Sequence, residues 1–389
     1  MKILLFSSLF PNAAQPNLGL FVETRLRQTM QRSDLQAHVV APVPWFPFSS
    51  PRFGSYAKFA QAPASEVRDG LRIEHPRYFV IPKVGMSLTP KLMYRGVLQT
   101  VRRLCAEQSF DLIDAHYFYP DGVAAAMLAK RLELPLVITG RGTDLNVIPD
   151  YPRPRAMILA AAHQAAELVT VSQALKDRLV SLGVPETKVT VLRNGVDLER
   201  FKPLDREACR QSLGLAGPLI LCVGNLVSLK GHDLVIRAMQ QLPGLHLAIV
   251  GGGPLRGDLE SLIASLRLTD RVRLVGQVPQ AELKTYYSAA DALVLASSRE
   301  GWANVLLESM ACGTPVAATP VSGTPELITE PAAGRIIEQR SVEAIVETLK
   351  DLLSNPPARA DTRAVAEGFS WDEVVEGQLA VFRRAAKSS

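Results

Sequence analysis

Two glutamates, Glu300 and Glu308, stand eight positions apart in the stretch SSREGWANVLLESMACGTPV, residues 297–316. The apolar run before them predicts a buried strand, and residues 304–312 predict a helix that ends at Gly313. The free N–H groups of a helix start bind anions. Glu300 therefore suits a neutral polyol beside a phosphate, and Glu308 can accept two hydroxyls, as from a ribose. The alternative, two surface carboxylates that compensate the helix dipole, is disfavoured by the flanking residues.

Other residues with chemical potential also follow predicted strands. The stretch IVGGGPLRGDLE (249–260) has the strand, glycine turn and helix start of a dinucleotide site. The G-x-G-x-x-G test fails, however, because counting from Gly251 puts Arg256 at the third glycine position. In the first half, Gly19 permits a close backbone approach after the first strand. His116 ends another strand, where a ligand-facing role competes with an ordinary structural one.

Short apolar runs alternate with amphipathic ones, which predicts an α/β fold of βαβ units with parallel sheets. Asn194-Gly195 and the charged stretch after it mark a boundary. We predict a first domain over residues 1–198, a second over 199–369, and a C-terminal helix over 370–389 that packs on the first domain. Ligands bind outside the carboxyl ends of parallel strands. The two domains are therefore expected to face each other across a cleft.

Composition sets broad limits on the function. The chain has 389 residues, 47% hydrophobic and 21% charged, with a net charge of +5. This charge is too small to indicate nucleic-acid binding, but it suits anionic substrates or a membrane surface. The four cysteines have no CxxC spacing, which disfavours disulfides and zinc and favours a cytoplasmic protein. MKILLFSSLF is expected to be a first strand rather than a signal peptide, and no uncharged apolar run is long enough to span a membrane.

The stretch from Glu300 to Val316 carries a resemblance to a known family. EGWANVLLE, followed by SMACGTPV, resembles the E-x7-E signature of retaining glycosyltransferases of family 4, also called glycosyl transferases group 1. That family has the GT-B fold, with two Rossmann-like domains. VGNLVSLKGHDLVI (223–236), GQVPQAELKTYYSAAD (276–291), TVSQALKDRL and RNGVD also match. The resemblance thus covers nearly the whole chain.

The resemblance implies roles for individual residues. In the family the first glutamate contacts the donor sugar and the second binds the ribose, so these roles fall to Glu300 and Glu308. Lys230 would neutralise the diphosphate, and Asn225 stands where many relatives have an arginine. Arg193 or Arg299 would then substitute for the missing charge. The implied catalytic residues are Glu300, His116 and Lys230. The implied donor site also includes Gly19, Asn225, Gly253, Pro254, Gly276, Val278, Gly301, Trp302, Ala303, Asn304 and Val305. The acceptor region would include Asn17, Arg141 and Asp144.

The implied activity is transfer of a hexose from a nucleoside diphosphate sugar to a hydroxyl acceptor in polysaccharide synthesis. Retention can proceed through a covalent intermediate or by same-face attack, and the sequence does not decide between them. No D-x-D triplet and no His or Cys metal spacing is present, so neither a metal nor another cofactor is expected. Two alternatives stay open: a sugar-nucleotide epimerase of GT-B-like fold, and a catalytically dead sugar-nucleotide-binding subunit.

Residues 50–103 suggest a membrane-facing surface. They hold ten lysines or arginines against three acidic residues, with aromatic residues interleaved and PWFPF just before. Such a composition suits peripheral docking on an anionic leaflet, with a polyprenyl-linked glycan as acceptor. The alternative is a solvated basic face whose aromatic residues lie in the core.

Overall fold

The computed structural model describes residues 1–81, 85–215 and 217–387. Two compact units are present: unit 1 comprises Met1–Arg193 and Asp372–Ser389, and unit 2 comprises Asn194–Trp371. The chain passes from unit 1 to unit 2 between residues 193 and 194, five residues before the predicted boundary. The reason is that the Asn194-Gly195 turn already packs within unit 2. Asn194 bonds to Asn304, and the N–H of Val196 donates to the carbonyl of Phe369.

The described strands share short, mostly buried apolar sequences, as parallel sheets covered on both faces require. They are β1 (Lys2–Phe6), β2 (Gln36–Val40), β3 (Val43–Pro44), β4 (Ser65–Arg68), β5 (Leu71–Glu74), β6 (Arg77–Tyr78), β7 (Leu112–His116), β8 (Leu136–Gly140), β9 (Glu167–Thr170), β10 (Val189–Val191), β11 (Leu219–Val223), β12 (His246–Val250), β13 (Val272–Gly276), β14 (Ala292–Leu295), β15 (Val316–Ala318) and β16 (Gly334–Ile336).

The α-helices fill the connections between these strands. They are α1 (Leu20–Gln31), α2 (Ser55–Gln61), α3 (Thr89–Glu107), α4 (Val123–Leu132), α5 (Thr143–Asn146), α6 (Pro152–Gln164), α7 (Gln173–Ser181), α8 (Arg206–Leu213), α9 (His232–Ala238), α10 (Arg256–Ser265), α11 (Leu283–Ala289), α12 (Asn304–Ala311), α13 (Val342–Ser354), α14 (Arg359–Glu367) and α15 (Trp371–Lys387).

Within the described part of unit 1, eight strands form one sheet in the order β10-β9-β8-β7-β1-β2-β5-β4. All neighbours are parallel except β4, which pairs antiparallel with β5 at the edge. Helix α15 packs on this unit: Val381, Phe382 and Ala385 join the core that includes Ile3, Leu5 and Val39. An ion pair between Arg384 and Glu167, at 2.9 Å, adds to this packing.

Unit 2 has a smaller parallel sheet. Its six described strands run in the order β13-β12-β11-β14-β15-β16. Alternate residues of β11, β12 and β14 pack with α9, α10 and α13 into one apolar core. The predicted α/β fold with Rossmann-like parallel-sheet domains is confirmed. Across the described ranges, none of the helices combines the length and apolarity that a membrane span needs.

Candidate active site

The loops after the central strands of unit 2 are joined by their backbones. The N–H of Leu226 donates to the carbonyl of Gly252 at 2.9 Å, and the N–H of Gly251 donates to the carbonyl of Gly276 at 2.8 Å. The loop after β14 joins them, because the N–H of Ser298 donates to the carbonyl of Leu229 at 2.9 Å. This edge, at the carboxyl ends of the strands, is where open parallel sheets bind ligands.

Gly253 has a local structural reason to be glycine. A Cβ atom at this position would lie 2.5 Å from the carbonyl oxygen of Leu226, which is too close for any side chain. The glycine therefore keeps the loops after β11 and β12 in contact. Pro254 beside it is exposed, Gly276 and Val278 are half-buried, and Asn225 is exposed.

Lys230 and Glu300 are brought together by folding, although seventy residues separate them. The ammonium of Lys230 lies 2.5 Å from Glu300 Oε1, and the hydroxyl of Ser297 donates to the same oxygen at 2.6 Å. Both charged side chains keep some exposure, 19% for Lys230 and 12% for Glu300. Their contact is an ion pair that a diphosphate could share, because an ammonium has three donors.

Glu308 lies on the buried side of α12. The hydroxyl of Tyr287 donates to Glu308 Oε2 at 2.7 Å. Burial raises the pKa of the Glu308 carboxyl, and the hydrogen bond from Tyr287 acts against this rise. Tyr287 is a partner of Glu308 that the sequence did not single out, since an aromatic residue in a helical pattern is ordinarily part of the core.

The residues between the two glutamates divide into buried and partly exposed ones. Trp302 is buried: its indole N–H donates to the carbonyl of Asn194 at 3.2 Å, and its ring lies 6.0 Å from that of Phe369. Asn304 accepts a hydrogen bond from the amide of Asn194 at 3.1 Å. Trp302 thus fixes the loop by its packing. Gly301 and Val305 are half-buried, and Ala303 is buried.

In unit 1, His116 lies in a buried polar cluster at the ends of β7 and β8. Its Nε2 is 3.0 Å from Asp114 Oδ2, and Arg141 Nη2 is 2.6 Å from its Nδ1. Because the guanidinium only donates, Nδ1 must accept and Nε2–H must donate to Asp114. Burial lowers the pKa of His116 to about 4, so the ring is neutral at pH 7.

Asp144, predicted in the acceptor region, is buried and hydrogen-bonds to backbone N–H groups. Its carboxylate accepts from the N–H groups of Phe118 at 2.8 Å and Gly142 at 2.7 Å, and it is fully buried. It therefore ties the loop after β8 to the loop after β7. Burial raises the pKa of Asp144, against these hydrogen bonds.

Gly19 makes a close backbone approach within unit 1. Its φ is +64°, and a Cβ atom there would lie 2.1 Å from the carbonyl oxygen of Leu9. Both facts favour glycine at this position without any ligand. Asn17, two residues earlier, is exposed.

Several polar residues around these positions were not predicted from the sequence. Arg25 is buried and donates to Gln378 of α15 at 2.9 Å, and Asp121 binds the N–H and hydroxyl of Ser8. An aspartate inside the apolar run FDLIDAH was the available signal for Asp114. Over the ranges that the structure describes, three or more His, Cys, Asp or Glu residues never gather into a set that could hold a metal.

Comparison with known sequences places two family profiles on the chain. The profile described as Glycosyl transferases group 1 matches residues 205–368, and the one described as Glycosyltransferase Family 4 matches residues 24–200. The teichuronic acid biosynthesis glycosyltransferase TuaC of Bacillus subtilis is 31% identical over 360 residues, 90% of this chain and 88% of TuaC. The D-inositol 3-phosphate glycosyltransferase 1 of Catenulispora acidiphila is 31% identical and covers 83% of each chain.

Solved structures share the fold. Sucrose-phosphate synthase of Thermosynechococcus elongatus has a TM-score of 0.82 at 21% identity, covering 100% of this chain and 99% of its own. HepE of Anabaena, in complex with UDP and glucose, has a TM-score of 0.74 at 22% identity, covering 98% of both chains.

Proposed function

The chain belongs to the glycosyl transferases group 1 family, and from this premise we propose that it is a retaining transferase of nucleotide-linked hexoses. Its fold is the GT-B fold. The supporting observation is the edge of unit 2, where Lys230, Glu300 and the start of α12 meet. A cation, the positive end of a helix dipole and a carboxylate suit the diphosphate and sugar of one donor.

In the proposed reaction the bond between the anomeric carbon and the diphosphate oxygen breaks. The acceptor oxygen bonds to the same face of that carbon, and its proton passes to the departing phosphate. Lys230 stabilises the charge that develops on the diphosphate, and Glu300 holds the sugar. The anomeric configuration of the product, measured by NMR, tests retention: an inverted product contradicts it.

We assign the donor to unit 2 and the acceptor to unit 1. UDP is the first nucleotide to test, since similar structures hold UDP and UDP-glucose, although another holds ADP. A thermal-shift panel of UDP, GDP and ADP identifies the base, because a ligand at 100 times its Kd stabilises by about 2.7 kcal/mol. No shift with any of the three would contradict the donor assignment.

The transfer is proposed to need no metal. Lys230 and the helix N–H groups supply positive charge at the diphosphate, and the chain has no D-x-D triplet. Activity should therefore persist in excess EDTA. Activity that EDTA abolishes and Mg²⁺ or Mn²⁺ restores would overturn this proposal.

The proposed acceptor is a lipid-linked glycan of cell-surface polysaccharide synthesis. One relative is named for teichuronic acid biosynthesis, which supports a polymer-forming role. Unit 1 adds an aromatic patch, which we define as Trp45, Phe46, Phe48, Phe53, Tyr56 and Phe79. Its rings pack in two groups: Phe48 stacks on Phe53 at 5.1 Å, and Trp45 lies 5.1 Å from Phe79.

Most of this patch is exposed, including Phe48 at 55% and Phe79 at 62%, while Met93 of α3 is buried. The cations of residues 50–103 also divide. Arg77 is half-buried and donates to the carbonyl of Phe59, whereas seven are exposed: Arg52, Lys58, Arg72, Lys91, Arg95, Arg102 and Arg103, the last of which pairs with Glu74. Lys83 lies outside the described residues. Exposed aromatic rings with cations beside them are suited to an anionic lipid surface.

Liposome co-sedimentation tests this docking. The protein should pellet with anionic phosphatidylglycerol vesicles and not with neutral phosphatidylcholine ones, less so at high salt. Phe48→Ser with Phe53→Ser should reduce binding, and Tyr151→Ser, which changes an aromatic residue exposed to 52% elsewhere on unit 1, should not. If the protein stays in the supernatant with anionic vesicles at low salt, the proposed docking is wrong, and a soluble acceptor replaces the lipid-linked one.

A further inference from the structure

Glu308 accepts a hydrogen bond from Tyr287, a buried side chain. Tyr287 is fully buried, its ring lies 6.0 Å from that of Phe201, and its hydroxyl donates to Glu308 Oε2 at 2.7 Å. The backbone beneath it is fixed as well, since the hydroxyl of Thr314 donates to the Tyr287 carbonyl at 2.6 Å. The phenol is therefore a fixed donor to this carboxylate.

Arg200 and Gln280 also favour the ionised form of Glu308. Arg200 Nη1 donates to Gln280 Oε1 at 2.7 Å. A guanidinium can only donate, so the amide oxygen of Gln280 must face Arg200 and its NH₂ group is left to donate. Both residues lower the pKa of the Glu308 carboxyl.

These contacts oppose the effect of burial. Burial raises the pKa of the Glu308 carboxyl, whereas the hydrogen bonds from Tyr287 and Gln280 and the charge of Arg200 lower it. A protonated carboxyl would present one O–H donor and lose acceptor sites. An ionised carboxylate has about four lone-pair sites, so the hydrogen bond from Tyr287 leaves enough of them for two hydroxyl groups of a ligand.

We propose that Tyr287 is a positioning residue that orients Glu308 as an acceptor for the two hydroxyl groups of the donor's ribose. This inference rests on the proposed donor site and adds one residue outside the glutamate pair. It also predicts selectivity for ribonucleotides. A 2′-deoxy or 3′-deoxy nucleotide leaves one of the arranged acceptor sites of Glu308 without a partner.

The main experiment compares Tyr287→Phe with wild type, using UDP, or GDP or ADP if the thermal-shift panel selects it, and the matching 2′- and 3′-deoxy nucleoside diphosphates. Calorimetry should give a Kd about 10-fold weaker for a deoxy ligand in wild type, and about 10-fold weaker for the ribonucleotide in the variant, the scale of one hydrogen bond to a charged group. If Tyr287 acts through Glu308, the two losses are not additive, and the deoxy penalty shrinks in the variant.

A pH series gives a readout that a merely structural role would not move. Without the phenol, Glu308 should bind a proton more readily. The ratio of variant Kd to wild-type Kd should therefore increase as the pH is lowered from 8 to 6. Using this ratio cancels the titration of the nucleotide itself.

Two further variants keep the result interpretable. Tyr286→Phe removes the same hydroxyl from the neighbouring, half-buried tyrosine and should leave every Kd unchanged. Arg200→Gln changes a side chain that is 44% exposed, so the fold should survive, and it should reproduce a weaker form of the Tyr287→Phe effect.

The outcomes separate this inference from the proposed function. If wild type binds no nucleoside diphosphate, the donor site itself is wrong and the inference falls with it. If wild type binds but Tyr287→Phe binds equally well, or keeps the full deoxy penalty, the positioning role alone is overturned.

Discussion

Each unit holds a cluster of predicted site residues, but the two clusters differ in how deeply the fold buries them. In unit 1, His116 and Asp114 have side-chain exposures of 3% and 5%, and both ring nitrogens of His116 have protein partners. In unit 2, Lys230 and Glu300 are exposed to 19% and 12%, and they form an ion pair with each other. The first cluster is built into the fold, and the second can exchange its contacts for a ligand.

This difference separates residues that are expected to stabilise the fold from residues that are expected to contact a ligand. A buried charge that loses its partner costs stability, whereas a partly exposed pair at a loop edge contributes little to folding. Changes in the unit 1 cluster should therefore appear in the free energy of unfolding. Changes at the Lys230–Glu300 pair should appear in turnover and affinity, with stability nearly unaffected.

The largest expected effect is on turnover in Glu300→Gln. Loss of one electrostatic contact to the transition state should lower kcat by at least about 10²-fold. Affinity for the nucleoside diphosphate should be kept or improved, because Lys230 no longer shares its charge with a carboxylate. Steady-state kinetics and calorimetry measure the two quantities. The control is Glu330→Gln, an exposed glutamate of unit 2. If Glu300→Gln keeps the wild-type kcat, Glu300 takes no part in the reaction.

The next effect tests unit 1 through pH. The pKa of His116 is about 4 in the folded protein, below the ordinary 6.5, so the unfolded chain binds more protons between these values. The contribution of His116 is thus present above pH 6.5 and is lost as pH falls towards 4. Between pH 6.5 and 4.5 the loss is about 2 kcal/mol.

Wild type alone would hide this loss. Burial raises the pKa of Asp121 to about 7, which gives a contribution of opposite sign, present at low pH and lost as pH rises. The measurement is therefore the stability of wild type minus that of His116→Gln, which should decrease on acidification. His163→Gln, at an exposed histidine of α6, serves as control. A difference that stays constant with pH would mean that His116 is not held neutral.

The same contrast explains which parts could be predicted from the sequence. Strands such as Leu219–Val223 can be predicted from the sequence, because a buried parallel strand is a continuous apolar run, here LILCV. The hairpin of β4 and β5 was missed, since SEVR and LRIE alternate charged and apolar residues at a sheet edge. Strand β16, only three residues long, gives too short a pattern.

For the site, the sequence identified residue types but not their partners. Lys230 and Glu300 were both predicted, yet their 2.5 Å contact depends on how two loops meet. Trp302 was predicted in the donor site, and its indole lies against Asn194 and Phe369, a direction that spacing alone does not determine. Contacts formed through loop backbones, such as that of Gly253 with Leu226, are likewise visible only in three dimensions.

A moderate effect is expected for Lys230→Ala. Removing the ammonium should weaken binding of the free nucleoside diphosphate by about 10-fold, within the range for a hydrogen bond between charged groups. The melting temperature should change little, because the pair is partly exposed. Lys350→Ala, an exposed lysine of α13, is the matched control for calorimetry. If affinity is unchanged while the melting temperature falls, Lys230 stabilises the fold as the unit 1 cluster does. The proposed contrast between the two clusters is then wrong.

The smallest expected effect is a gain from Asn225→Arg. Asn225 is exposed, and its backbone carbonyl accepts from the Nε2 of His232 at 3.2 Å, so the loop should keep its course when the side chain changes. An exposed cation near a diphosphate contributes at most about 1 kcal/mol, so we expect affinity about 3-fold tighter at low salt. The gain should vanish in 1 M salt, where charges are screened within about 3 Å. Asn225→Gln, which adds length without charge, should bind like wild type. An arginine variant with unchanged affinity at low salt would place the diphosphate away from this loop, and the open edge of unit 2 would then need a different ligand.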